Sequence, residues 1–133
     1  MIFLVMLGSS VFSQTAMLPT TTASPGETIS LPLDVTGFTD IGAITLHIQI
    51  DPTILTFAGI TGAPAGTLAG VSGTTLGISW SDVTPITIGA AGTGTLLNLL
   101  FDYTGPGTST LNFLGTCEII QMPGYVPLAV TYT

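Results

Sequence analysis

The sequence predicts an all-β fold, a jelly-roll β-sandwich of about eight or nine strands. Hydrophobic residues make up 46% of the 133 residues, and in several segments they recur at every second position, the period of a strand with one buried face. Turn signals rich in Gly and Pro separate these segments. Only 5% of residues are charged and Lys and Arg are absent, a composition poor in helix-favouring residues. The length suits one domain.

Residues 1–16, "MIFLVMLGSSVFSQTA", are predicted to be part of a signal peptide. The apolar run over residues 2–12 is shorter than the roughly 20 residues that cross a bilayer and suits an h-region, with a cleavage site after Ser13. No basic residue precedes the run, so we interpret Met1 as an internal start or a truncation. The alternative is a genuine N-terminal strand or anchor. We expect a secreted protein, extracellular or at the cell surface and not transmembrane, whose domain spans 17–133 and is truncated at its C-terminus.

The segment "SPGETISLPLDV" predicts a type II turn followed by a strand. Pro32 cannot donate to a β-ladder, so this strand is predicted to lie at an edge or to contain a bulge. The next strand, "AITLHIQI", is closed by Asp51-Pro52, and "ILTFAGI" resumes in extended form. The residues predicted to face the core in the first two strands are Ile29, Leu31, Leu33, Val35, Ile44, Leu46, Ile48 and Ile50.

The stretch "TGAPAGTLAG" is predicted to be a loop, and "TLGISWS" a strand with Leu76, Ile78 and Trp80 inside. After a loop over "DVTPITIGAAGTG", the segment "TLLNLLFDYT" also fits a helical stripe. It is short, begins after a glycine and is apolar on both faces, which favours a central strand. The segments "STLNFLG", "TCEIIQM" and "VPLAVTYT" are the last predicted strands, with a turn at Pro123-Gly124 joining the final two.

The order of these segments resembles the cohesin domain family. The stretch "SPGETISLPLDVTGFTDIGAITLHIQIDPTILTFAGI", followed by "GISWSD" and "GTGTLLNLLFDYT", is similar to the family over roughly residues 20–133. The resemblance implies a nine-stranded extracellular jelly roll whose flat outer face binds a dockerin. Calcium in that pairing belongs to the dockerin, so no metal site or cofactor follows for this chain. Where cellulosomal cohesins often carry Asn and Asp, this chain has Ala43 and Thr45, which better fits cohesin-like modules of bacterial surface and secreted proteins.

We therefore predict a protein-binding module, with a dockerin-like protein as its partner. A sheet face with few charges costs little to desolvate, because few ions must lose water. The alternative is an ordinary solvated face. The residues predicted to form the binding face are Thr45, His47, Gln49, Ser79, Ser81 and Asp82.

Composition argues against several other functions. A net charge of −7 without a single Lys or Arg disfavours nucleic acid, because binding phosphates requires cations. With one His, one Cys and no nucleophile elbow, the sequence predicts no catalytic residues. Neither His47 alone nor the scattered acidic residues predict a metal site, and turn or capping roles are expected for the acids. Cys117 is interpreted as a buried, inert thiol.

Two other functions stay open. A carbohydrate-binding module would use exposed aromatic rings to bind a polysaccharide. Trp80 and Tyr103 are in phase with core residues, which leaves Tyr125 and Tyr132 for such a platform. The third possibility is a structural or adhesive domain of a larger cell-surface protein.

Overall fold

The computed structural model of the protein describes residues 14–133, which contain eleven strands and no helix. Nine strands have three residues or more, and β8 and β10 have two each. The strands are β1 (Gln14–Met17), β2 (Thr28–Thr36), β3 (Ile41–Gln49), β4 (Leu55–Thr61), β5 (Leu68–Ser72), β6 (Thr75–Ile86), β7 (Gly94–Tyr103), β8 (Asn112–Phe113), β9 (Glu118–Gln121), β10 (Val126–Pro127) and β11 (Val130–Tyr132).

The strands form two sheets that pack face to face. Sheet I has the order β11-β1-β2-β7-β4, and sheet II has the order β10-β9-β3-β6-β5, with β8 also paired to β3. All pairs are antiparallel except β1 with β11, which is parallel. The predicted jelly-roll β-sandwich is confirmed. Among residues 14–133, no helix is long and apolar enough to cross a membrane.

The core lies between the inner faces of the two sheets. Strands β2 and β3 bury alternate aliphatic residues, as their two-residue period predicts. Fully burying such a side chain stabilises the fold by about 1.5–3 kcal/mol. Burial of alternate residues sets the orientation of β3, so that its remaining side chains lie on the outer side of its sheet. The fully buried large side chains are Leu33, Phe38, Ile41, Ile44, Leu46, Ile48, Leu76, Ile78, Leu96, Leu97, Leu99 and Phe101.

The turn before β2 and the proline within it agree with the sequence. Gly26 has φ +95°, and the Glu27 N–H donates to the Ser24 carbonyl at 3.0 Å, as a type II turn requires. A bulge interrupts the pairing of β2 with β7 between Leu33 and Asp34. On the other side of β2, the partner β1 pairs only with residues 34–36, so Pro32 faces an open edge where no N–H is needed.

Strand β7 resolves the ambiguity between helix and strand. It lies in the middle of sheet I between β2 and β4, but its outer face carries Asn98, Leu100 and Asp102, so the expectation that both faces are apolar is wrong. The bulge opposite Leu33 and Asp34 lets consecutive residues Leu96 and Leu97 both be buried. The leucine pattern that imitates a helical stripe is therefore a bulged central strand.

Three segments differ from the sequence-based expectations. Strand β5 begins within the last three residues of the stretch predicted to be a loop, and β6 continues through residues 82–86, where a loop was also expected. All five residues of β5 pair with β6, whereas within residues 82–86 only Ile86 pairs with β3, beyond an irregularity in the register. Strand β1 begins at Gln14, so the sandwich starts before the expected boundary at 17. The rest of the expected leader lies outside the described residues.

Candidate protein-binding face

The predicted binding residues lie on the outer side of sheet II. Register places Thr45 directly opposite Ser79, and Ala43 opposite Ser81, so β3 and β6 are neighbours in this sheet. Gln49, Ser79 and Ser81 are exposed, whereas Thr45 and His47 are half-buried. We call the outer side of β9, β3, β6 and β5 the candidate face.

Cross-strand neighbours on the candidate face form three parallel rows. Neighbouring strands lie about 5 Å apart, so each row is a continuous line of side chains across the sheet. The first row ends at Glu118 on β9, which pairs with Thr45, and the third ends at Asn112 on β8, which pairs with Gln49. Across β5, β6 and β3 the rows are Leu68, Ser79 and Thr45; Gly70, Gly77 and His47; and Ser72, Thr75 and Gln49.

His47 is held in place by the segment that precedes β9. Its Nδ1 lies 2.7 Å from Thr116 Oγ1, and its backbone N–H donates to Cys117 Sγ at 3.3 Å. The Cys117 thiol in turn donates to the His47 carbonyl at 3.4 Å. Burial raises the pKa of the Cys117 thiol, although hydrogen bonds with the backbone of His47 and Leu114 act in the opposite direction. The thiol is half-buried rather than buried as the sequence predicts, and its raised pKa keeps it protonated at neutral pH.

Asp82 follows Ser81 within β6, outside the paired rows, and its carboxylate makes a local hydrogen bond with the backbone. Its Oδ1 accepts a hydrogen bond from the Thr84 N–H at 3.0 Å. Asp51 does the same for the Thr53 N–H at 3.0 Å in the turn before β4, so the turn role expected of the acids is confirmed at Asp51. Within residues 14–133, no three His, Cys, Asp or Glu side chains are grouped so that they could hold a metal ion.

The aromatic residues do not form a flat platform for a sugar. Trp80 is 5% exposed, and its Nε1–H donates to the Ala65 carbonyl at 3.0 Å. The expectation that Tyr132 is available for a platform is wrong, because its ring packs at 5.1 Å from the Phe113 ring and is half-buried. Tyr125, at 71% exposure, is the one aromatic side chain of the described residues that is largely open to solvent.

A polar groove of about 350 Å³ lies at the end of the candidate face, beside the third row. Its walls come from the end of β3, the turn before β6 and the segment that leads into β8. No aromatic ring lines it, so it lacks the flat apolar surface on which sugars stack. The lining residues are Gln49, Ile50, Asp51, Pro52, Thr74, Thr108, Ser109, Thr110 and Asn112.

Sequence reasoning missed the contribution of β5 to the candidate face. Leu68 is 70% exposed and extends the first row, and Gly70 extends the second. A signal was present in "VSGTTL", where Gly73 and Thr74 form a two-residue turn between Ser72 and Thr75. Such a short turn containing glycine indicates a hairpin, and the residues before it must then pair with β6.

The two-sheet sandwich thus presents one broad outer face with few charged residues. The chain belongs to the cohesin domain family, whose sequence model matches residues 15–110. The search of curated protein sequences found no match.

Solved cohesin structures share the fold. The sixth cohesin of scaffoldin B from Acetivibrio cellulolyticus, solved in complex with a mutant Cel5 dockerin, is 16% identical, with 91% of this chain and 94% of that chain covered and a TM-score of 0.76. A non-cellulosomal cohesin from the archaeon Archaeoglobus fulgidus is 20% identical, with coverages of 90% and 86% and a TM-score of 0.74. A type I cohesin–dockerin complex from Clostridium thermocellum gives 12% identity, 90% and 94% coverage and a TM-score of 0.74. At these identities, the likeness concerns the fold.

Proposed function

We propose that this domain is a non-catalytic module that binds a dockerin through the candidate face. The observation that carries the proposal is the alignment of Thr45, Gln49 and Ser79 on one open outer face of a cohesin sandwich. Two of the similar solved structures are described as complexes with dockerins. Membership of the family and these complexes support a protein partner over a small-molecule substrate.

The chemistry of the candidate face suits association with a folded protein. Its three rows contain hydroxyl, amide and imidazole groups, which can exchange hydrogen bonds with water for hydrogen bonds with a partner. Glu118 at the end of the first row is the one carboxylate in line with these rows. Desolvation of this surface therefore costs little, because few charges must be stripped of water.

We also propose that the module works outside the cell, in an assembly related to polysaccharides. The apolar run over residues 2–12, followed by small residues, supports secretion. The scaffoldin origin of one similar structure supports the assembly, whereas the non-cellulosomal cohesin shows that the fold also occurs without one. The aromatic side chains give no comparable support to direct polysaccharide binding.

Isothermal titration calorimetry of the domain with a panel of calcium-loaded dockerins tests the proposal. The wild-type domain is expected to bind at least one of them, and Thr45→Arg and Gln49→Arg are expected to weaken that binding at least about tenfold, or ~1.4 kcal/mol. Both replacements place a long charged side chain where a partner would lie. The matched control is Ser30→Arg, which makes the same change of charge at an exposed position of sheet I.

Two results would contradict the proposal. One is the absence of binding across the panel, and the other is equal weakening by Ser30→Arg and Thr45→Arg. Co-sedimentation of the wild-type domain with insoluble cellulose or chitin would instead favour the carbohydrate-binding alternative.

A further inference from the structure

Two glycines lie opposite each other in the second row of the candidate face, on its edge strand β5 and the neighbouring β6, and the fold does not require either of them. Neither Gly70 nor Gly77 has positive φ, so their backbone conformations are open to any residue. A Cβ added to Gly70 would meet no atom within 4 Å. One added to Gly77 would make only ordinary contacts, at 3.8 Å from His47 Cδ2 and 3.9 Å from the Gly70 carbonyl oxygen.

Gly42, in the same sheet, differs from these two glycines because a neighbouring side chain restricts it. A Cβ on Gly42 would collide with the side chain of Met122, so any other residue at that position requires Met122 to move. In an open strand position, by contrast, glycine only weakens the strand, because it has no side chain to pack and a high backbone entropy. A glycine in a strand interior without such a requirement often marks a place where another molecule approaches closely.

The dimensions of the bare region match a helix. Gly70 and Gly77 form the floor, which we call the glycine recess, between the first and third rows. Leu68 and Ser72 on β5 are four residues apart, which separates those rows by about 13 Å along the strands. An α-helix with its side chains is about 10–12 Å wide, so a helix that crosses β5 and β6 between the two rows lies over the glycines and meets His47 on β3.

We propose that the glycine recess is the specificity-determining part of the candidate face, and that it receives a helix of the partner with a small residue facing the glycines. This inference rests on the proposed function. Leu68, which is 70% exposed, then packs against an apolar side chain on one flank of that helix. Ser72, Thr75 and Gln49 offer hydrogen bonds on the other flank.

The negative charge of this domain further restricts which partner helices can bind. The sequence has no Lys or Arg and a net charge of −7, and Glu118 ends the first row. A helix that carries a Lys or Arg at that end gains an attractive interaction, and an acidic helix is repelled. The partner is therefore a dockerin whose contacting helix combines a small central residue with a neutral or basic flank. A partner that added a strand would pair with the free edge of β5 and leave the glycine recess empty.

The test compares Gly70→Val with Ser30→Val against the same dockerin panel. Val favours strands and its Cβ meets no neighbour at position 70, so Gly70→Val is expected to keep or raise the melting temperature. It is expected to weaken dockerin binding at least tenfold, because the added side chain fills the glycine recess. Ser30→Val adds the same side chain to sheet I and is expected to bind as the wild type does.

The outcomes separate this inference from the proposed function. If Gly70→Val folds and binds as tightly as the wild type while Thr45→Arg does not bind, the glycine recess is not the contact and the proposed function stands. If the wild-type domain binds no dockerin of the panel, both proposals are overturned. Should Gly70→Val fail to fold, Gly77→Ala adds a single methyl group with ordinary contacts and takes its place. A loss of at least threefold in affinity then supports the inference, and an unchanged affinity overturns it.

Discussion

The phenol of Tyr132 links pH to the stability of the last strand. Desolvation by burial, followed by the negative charges of ionised Cys117 and Glu118, raises the pKa of Tyr132 to about 12. In the unfolded chain a tyrosine ionises near pH 10, so between pH 10 and 12 the unfolded chain has lost a proton that the folded chain retains. The free energy of unfolding is therefore expected to be independent of this group below about pH 10 and to fall between about pH 10 and 12. Urea denaturation across this range measures it.

The control for this prediction is Tyr132→Phe, which keeps the ring against Phe113 but cannot ionise. The fall above pH 10 is expected to be shallower in the variant than in the wild type. Some fall should persist in both, because burial raises the pKa of the Cys117 thiol in the same direction. Parallel stability curves from pH 10 to 12 would show that Tyr132 does not contribute.

The burial of a single residue could be predicted where it shares the two-residue period of a strand with other core residues. The phase of Trp80 with Leu76 and Ile78 predicts a core position, and its indole N–H finds the Ala65 carbonyl there. Tyr132 was not predictable in the same way. Its burial comes from Phe113 on β8, a contact between strands that no local pattern encodes.

Strand β7 allows a direct test of the two-residue period. Leu99 is fully buried, and its neighbour Leu100 points to the other face and is only half-buried. Leu99→Ala is expected to destabilise the domain by about 2–5 kcal/mol, because it removes packed methyl groups and leaves a cavity. Leu100→Ala is expected to cost only about 1 kcal/mol, in proportion to the smaller area that it buries. Equal losses in chemical denaturation would contradict the assignment of opposite faces.

Strands with a strong alternation of apolar and polar residues could be predicted from the sequence, whereas strands stabilised mainly by their neighbours could not. Strands β2, β3 and β7 carry their own apolar period. Strand β5 has Ala69 and Gly70 at its centre and only five residues, so its local strand signal is weak and its pairing with β6 stabilises it as a strand. Half of the candidate face, on β3 and β6, was therefore predictable, whereas the part on β5 that contains Leu68 and Gly70 was not.

At the scale of the molecule, the sandwich brings distant segments into contact. Strand β1 at the start of the described residues pairs in parallel with β11 at residues 130–132, and Ala16 lies in the core. Composition predicted two packed sheets, but it cannot specify which strands are neighbours, because pairing depends on contacts between residues far apart in sequence. The same topology places β5 and β9 on opposite sides of β3 and β6, which makes the candidate face wide enough for a partner.

The charge of the whole molecule predicts how its association depends on salt. With a net charge of −7 and no Lys or Arg, the domain is surrounded by a negative potential that attracts a neutral or basic partner and repels an acidic one. Salt shortens the range of this potential, from about 30 Å at 0.01 M to about 8 Å at 0.15 M. For a dockerin with a basic contact surface, we expect the association rate constant to fall as salt rises from 0.01 to 0.5 M. The dissociation rate constant should change little, because it depends on short-range contacts. Stopped-flow fluorescence measures the association phase and surface plasmon resonance the dissociation phase.

Removing one charge far from the candidate face, as in Asp102→Asn on sheet I, should lower the salt dependence of the association rate constant only slightly, whereas Glu118→Gln should lower it more. An association rate constant that rises with salt would show that the partner presents an acidic surface, contrary to the basic or neutral flank inferred for its helix.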